Sequence, residues 1–254
     1  MLRRLFHKLT SPRSRLPDFF IIGAMKAATT SLYLYLEHHP QIHVSHPKEP
    51  AYFIDGRDRD RGLDWYKSLF VTRCRLAGEA STSYSKATRF PEVPKRLREA
   101  VPEARLIYIL RDPLERIVSH YLHCLREGWE KRPFEEALYH DGPPRLYVDA
   151  SRYAFQLERY LEYFPMEQIL ILETERLAEE PGKTLDETCR FLGLKNKIPQ
   201  EALGVRYNTT RSRMPKTERP EISPALRRHL SDQLAPDIAR LRALTGKPFQ
   251  SWSL

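Results

Sequence analysis

The stretch FFIIGAMKAATTSLYLYLE, residues 19–37, decides how the chain folds. Its opening, Phe19 to Gly23, is a short unbroken apolar run closed by glycine, the pattern of a parallel strand buried on both faces. From Thr29 the period changes, and Leu32, Leu36 and the neighbouring tyrosines recur at helical spacing. Strand, tight loop and helix in that order aim the N–H groups of the first helical turn, and the positive end of the helix dipole, at one point where an anion would sit. Lys26 lies inside that loop, with Ala27 and Ala28 after it and the hydroxyls of Thr29, Thr30 and Ser31 beyond. A Walker A loop needs Gly-Lys-Ser/Thr at the helix start, but the matching positions hold Ala28, Thr29 and Thr30. A nucleoside triphosphatase would lose its β/γ-phosphate lysine, whereas a lysine within the loop suits a shorter diester such as a phosphosulfate. An ordinary strand-to-helix turn capped by Thr29 or Thr30 is the competing reading.

Outward from this stretch the strand–helix alternation repeats. Arg75 to Ala80 reads as a second strand, Arg105 to Leu110 as the clearest one, and Ile169 to Leu172 as another. Helical spacing marks Asp64 to Phe70, Pro91 to Ala100, the run from Pro113 through Leu125, Tyr153 to Phe164, and Thr184 to Leu192 with Gly193 as its cap. His38 to Phe53 reads as loop, and a C-terminal helix through Leu226, Leu230 and Leu234 is predicted to break at Pro236 and resume through Ile238 and Leu241. The expected fold is a single α/β domain over residues 18–254: a central parallel sheet of four or five strands flanked by helices, with a P-loop-like nucleotide site. Residues 1–17 form a basic tail whose apolar residues make neither a secretory segment nor a transmembrane helix; contact with an anionic membrane is open to it.

With 254 residues and 41% hydrophobic ones the chain can bury a sizeable core, and its formal charge of +9 admits nucleotides, nucleic acid or anionic surfaces as partners. The basic residues are dispersed and no DNA or RNA motif occurs, so nucleic acid is not expected. Cys74, Cys124 and Cys189 are far apart, which predicts reduced thiols and a cytoplasmic setting. His38, His39, His43 and His46 cluster without a completing Cys or carboxylate pattern, so no metal site is expected.

A second constellation is Arg111, at the end of the strong strand, with Ser119 in the second turn of the helix that follows. Both approach the carboxyl edge of the sheet, where open α/β sheets bind ligands, and a guanidinium with a hydroxyl suits a phosphate monoester. The alternative is an ion pair from Arg111 to Asp112 or Glu115 with Ser119 solvated.

Taken together, these motifs carry a resemblance. The run from Phe20 to Pro40 resembles the 5′-phosphosulfate loop of sulfotransferases that use 3′-phosphoadenosine 5′-phosphosulfate (PAPS), and Leu110 to Tyr121 resembles the same family's 3′-phosphate motif. Between them PKEPAYF (47–53), GLDWY (62–66) and GEASTSY (78–84) follow in the family's order, most similar to heparan sulfate N- and 3-O-sulfotransferase domains and their bacterial relatives. The resemblance implies a PAPS-dependent sulfotransferase with no metal. It would transfer a sulfuryl group to a hydroxyl or amino group of an acceptor, with a carbohydrate among the candidates, and release 3′-phosphoadenosine 5′-phosphate (PAP). It nominates Glu49 as general base, Lys26 to steady the leaving oxygen, and one or more of Arg211, Arg213 and Lys216 to reach the 3′-phosphate, solvated charge being the alternative for these last three. A surface Glu49 paired with Lys48 is the competing reading for the base; the sequence itself suggests a carboxylate held among Tyr52, Phe53 and prolines with a raised pKa. Three departures stand out: Ala28 replaces a usual glycine, Ala80 replaces a lysine frequent in the heparan enzymes, and the C-terminal cysteine pair is absent. The rival functions are a P-loop kinase of a small alcohol and a basic nucleic-acid-binding protein.

Overall fold

The computed structural model describes residues 14–143, 146–203 and 219–254. Among them five strands, β1 (Phe19–Gly23), β2 (Ile42–Val44), β3 (Leu76–Ala80), β4 (Arg105–Leu110) and β5 (Ile169–Glu173), form one parallel sheet in the order β2-β3-β1-β4-β5. The helices are α1 (Thr29–Glu37), α2 (Arg57–Asp60), α3 (Gly62–Ser68), α4 (Val93–Ala100), α5 (Pro113–Arg126), α6 (Phe134–Tyr139), α7 (Tyr153–Leu161), α8 (Thr174–Glu179), α9 (Pro181–Phe191) and α10 (Pro224–Thr245).

Strand alternation explains the layers. Phe20, Ile22, Leu106, Tyr108 and Leu110 enter a core shared with α5, α7 and α10, while Phe19, Ile21, Ile107 and Ile109 enter a second core with Leu32, Leu36, Leu185 and Cys189. Because both faces are covered, β1 and β4 read as continuous apolar runs rather than alternating ones. The first strand ends up in the middle of the sheet with β3 and β4 beside it. The loops leaving the carboxyl ends of these three strands therefore meet on one edge, at the place where open parallel sheets hold ligands.

Two expectations are corrected. The segment His38–Phe53 is not loop throughout, since Ile42–Val44 pairs with β3 as an edge strand too short to announce itself by periodicity. The C-terminal helix does not break: α10 runs unbroken through Pro236. Pro236 is exposed, so the carbonyl it leaves without an intrahelical donor can face water, while Leu234, Ile238 and Leu241 stay buried on the core side. Next to it the buried Asp237 accepts hydrogen bonds from Ala154 N (2.9 Å) and Phe155 N (3.0 Å), fixing α10 to the start of α7. Tertiary packing outweighs the proline. Gly193 does terminate α9, with φ of 73° and its N–H donating to Arg190 O at 3.0 Å.

Candidate active site

The loop between β1 and α1 has a backbone form compatible with an anion. Lys26 and Ala28 take positive φ values of 71° and 58°, a pattern that turns successive N–H groups inward as a nest. Ala28, the residue before α1, offers no side-chain cap, so the N–H groups of the first turn keep their aim at the ligand position. A left-handed alanine costs about 1 kcal/mol, which gives the glycine usual at this position in the resembled family a physical reason. Two backbone bonds anchor the loop, Ala24 N to Ile109 O (2.7 Å) and Ala27 N to Ala24 O (3.1 Å). Gly23 is needed for a different reason: a Cβ there would lie 1.9 Å from Ser85 Oγ. The turn Thr82–Ser85 is thereby packed directly onto the loop.

Thr29 is buried, and Thr30 and Ser31 are half-buried beside it. Lys26 is half-buried with its pKa lowered, first by burial and then by the charges of Arg126 and Arg111. Unlike most half-buried cations it has no carboxylate within ion-pair distance among the described residues.

Arg111 leaves the end of β4 and turns back on this loop, its Nη1 donating to Lys26 O at 3.4 Å and its Nη2 to Glu115 at 3.2 Å. Tyr153 fixes its backbone by donating to Arg111 O at 2.8 Å. The Glu115 ion pair foreseen as the alternative is therefore present, and Arg219 joins it. Asp112 does not pair with Arg111; it caps α5 by accepting from Leu114 N (2.9 Å) and Glu115 N (3.0 Å). Ser119 lies half-buried one turn beyond Glu115 on α5. The Lys26 loop and the start of α5 are thus joined through the Arg111 guanidinium.

Sequence reasoning missed Arg116. Its side chain is fully buried; Nε donates to Ser151 Oγ at 2.5 Å, Nη2 to Tyr147 O, and Nη1 to Met25 O at 3.5 Å. It is the rivet between α5 and the anion loop. A basic residue on the buried stripe of α5, between Pro113, Ile117 and His120, was the available signal.

Glu49 follows β2 in the loop that passes the carboxyl end of β3. Its Oε2 accepts from Thr82 N (3.2 Å) and Thr82 Oγ1 (3.0 Å), and its Oε1 pairs with Lys48 at 2.7 Å. The expected burial among aromatic rings is not found, for the side chain is 40% exposed. The surface pair with Lys48 is real, yet Thr82 adds a fixed orientation that an exposed ion pair alone would not supply.

The buried carboxylate is Glu79. Tyr66 (2.5 Å), Ser81 (2.7 Å) and Tyr84 (2.9 Å) donate hydroxyls to it, and Tyr52 stacks on Tyr66 with ring centroids 4.4 Å apart. Complete burial raises its pKa to about 7; the three hydroxyls pull it down and the neighbouring Glu49 charge pushes it up. Ser81 Oγ also accepts from Ala51 N (3.1 Å), and Tyr84 OH from Phe53 N (3.4 Å), so Glu79 underpins the backbone just beyond Glu49.

Three of the four clustered histidines serve separate structural ends. His39 contacts Lys195 O at 2.9 Å, His43 contacts Leu69 O at 3.0 Å, and His46 pairs with Glu37 at 2.7 Å. No group of residues able to hold a metal occurs among the described residues. Cys74, Cys124 and Cys189 are free, and no described helix is long and apolar enough to cross a membrane. Arg211, Arg213 and Lys216, and most of the basic tail, lie outside the described residues.

Comparison with known proteins agrees with this fold. A family model described as a sulfotransferase domain matches residues 16–231. Among curated proteins, the bifunctional heparan sulfate N-deacetylase/N-sulfotransferase 4 of Mus musculus is 34% identical over 199 residues, covering 70% of this chain and 22% of that protein. The corresponding enzyme 3 of Homo sapiens is 34% identical over 200 residues, again covering 22% of its length. The chain thus spans under a quarter of the curated relatives it matches. Among solved structures, a sulfotransferase from Alicyclobacillus acidocaldarius aligns with a TM-score of 0.77 and 31% identity, covering 94% of this chain and 100% of that one.

Proposed function

Because the chain belongs to the sulfotransferase domain family, whose members draw the sulfuryl group from PAPS, we propose that PAPS lies along the carboxyl edge of the sheet with its 5′-phosphosulfate in loop 23–31 and its 3′-phosphate on Arg111 and Ser119. The observation that carries this reading is the pairing of an uncapped helix terminus with a half-buried Lys26 that has no carboxylate partner. A bound anion would satisfy both the free N–H groups and the lysine charge. Arg111 bridges the two phosphate positions and would share its guanidinium between Glu115 and the 3′-phosphate.

Glu49 is the general base in this reading. Thr82 holds one of its oxygens, and its exposure leaves room for an incoming hydroxyl or amine. The acceptor loses its proton to Glu49 as its oxygen or nitrogen bonds to sulfur, and the electron pair of the breaking S–O bond passes to the 5′-phosphate of departing PAP. Lys26 and the α1 N–H groups meet the charge that develops there. Positioning and fixed electrostatics supply most of the catalysis, as in phosphoryl transfer. The curated relatives named above support a carbohydrate acceptor, while Ala80 argues that its binding differs from theirs.

Glu49→Gln keeps the side-chain shape and removes the proton acceptor. Turnover should fall by roughly 10²- to 10⁴-fold with PAP affinity unchanged. Turnover near the wild-type rate would remove Glu49 from the mechanism.

A further inference from the structure

Lys86 has no role in the site as described, yet the fold fixes it with unusual care. It follows the turn Thr82–Ser85, whose Ser85 occupies the space a Gly23 side chain would need. On the other side α7 holds the same segment: Tyr160 OH donates to Tyr84 O at 3.0 Å, and Gln156 Oε1 accepts from Ala87 N at 2.7 Å. Lys86 is thus clamped at the residues flanking it, and its Nζ lies 3.2 Å from the sulfur of Met25, inside the anion loop. A thioether is a poor acceptor for an ammonium. Among the described residues no carboxylate lies within ion-pair distance of Lys86. Burial is the largest cause of its lowered pKa, about 8; the charges of Arg116 and Arg89 add to the lowering, and those of Glu49 and Cys124 oppose it.

Resting on the sulfotransferase reading above, we propose that Lys86 is a second catalytic cation that contacts the equatorial oxygens of the transferring sulfuryl group. Three features support it. Lys86 touches the loop residue next to Lys26, the turn that precedes it holds Glu49 through Thr82, and its half-buried ammonium meets no carboxylate among the described residues. A cleft beside Lys86 is lined by Thr88, Arg89, Leu146, Asp149, Ala150 and Gln156, so the side chain stands at a surface opening rather than sealed in the core. In the transfer Lys86 neither takes nor gives a proton. The proton goes to Glu49, the new bond is acceptor to sulfur, and the broken bond is sulfur to the bridging phosphate oxygen; Lys86 only stabilises charge on oxygens that are in flight between the two.

The test uses the full chain with Lys86→Met, which keeps length and removes charge, and Lys86→Arg, which keeps charge. PAP carries no sulfuryl group, so its calorimetric affinity should stay within about twofold of wild type in both variants. Turnover with saturating PAPS should fall roughly 10²- to 10³-fold in Lys86→Met and recover in large part in Lys86→Arg. If Lys86→Met does not fold, Lys86→Gln carries the same comparison. Wild-type turnover in the uncharged variant, or loss of PAP affinity in step with turnover, would overturn the assignment. A wild-type protein that fails to bind PAP would sink the donor reading itself, a failure visible before any variant is made.

Discussion

Glu79→Gln should make the protein more stable at pH 8 and leave it little changed at pH 5. Burial moves the Glu79 carboxyl from 4.5 to about 7. Below pH 4.5 the proton is bound in folded and unfolded chains alike and the group contributes nothing to the pH dependence. Between 4.5 and 7 the unfolded chain releases it first and so binds fewer protons, which makes stability fall as pH rises. Above 7 the penalty is complete and constant. At 1.36 kcal/mol for each pKa unit, the full effect is about 3 kcal/mol. Glutamine cannot ionise, and its amide can still accept from Tyr66 and Tyr84 while donating to Ser81, so the variant should lose this slope and keep the packing. Urea denaturation at pH 5 and pH 8 reads the difference directly; by melting temperature it corresponds to roughly 6–12 °C for a chain of this size. Equal pH slopes in the two proteins would refute the reasoning. So would a variant destabilised at pH 8, which would mean that the three hydroxyls hold the ionised carboxylate more strongly than burial opposes it.

Arg111→Ala should reduce the preference for PAP over adenosine 5′-phosphate, measured by calorimetry, by about 1.5–3 kcal/mol, chiefly by weakening PAP; an unchanged preference would detach Arg111 from the 3′-phosphate. Gly23→Ala should cost about 3 kcal/mol or more in chemical denaturation, because the new methyl meets Ser85 Oγ at 1.9 Å on a residue with φ of 154°. Wild-type stability in that variant would mean that the turn Thr82–Ser85 is not held against the loop.

The residues that lay in one local pattern were legible in the sequence. Phe19–Gly23 and Arg105–Leu110 declared themselves as buried strands because both faces are covered, and Pro113 after Asp112 marked the start of α5. The strand–loop–helix form around Lys26 was readable because its parts are consecutive in the chain. What stayed hidden depends on contacts between distant segments. Arg116 links Met25, Tyr147 and Ser151, and no local spacing reveals such a bond. The roles of Glu49 and Glu79 were divided differently than composition suggested. The carboxylate near the prolines is the exposed one, and the carboxylate on a strand end is the buried one, because the three hydroxyls that enclose Glu79 arrive from α3 and the segment just after β3, and the stacked Tyr52 from the loop after β2. Pro236 misled for a related reason, since a helix held by Leu234, Ile238 and Asp237 tolerates one missing hydrogen bond on its wet side.

The measurement that tests the central claim most directly is transfer from PAPS carrying sulfur label in its sulfuryl group, with the wild-type chain and a panel of hydroxyl and amino acceptors that includes N-desulfated heparan, read by chromatography and mass spectrometry. The account predicts that label moves to at least one acceptor with one PAP formed for each group transferred, and that Lys26→Met abolishes the transfer. It is contradicted if label moves to no acceptor and the wild-type chain does not bind PAP.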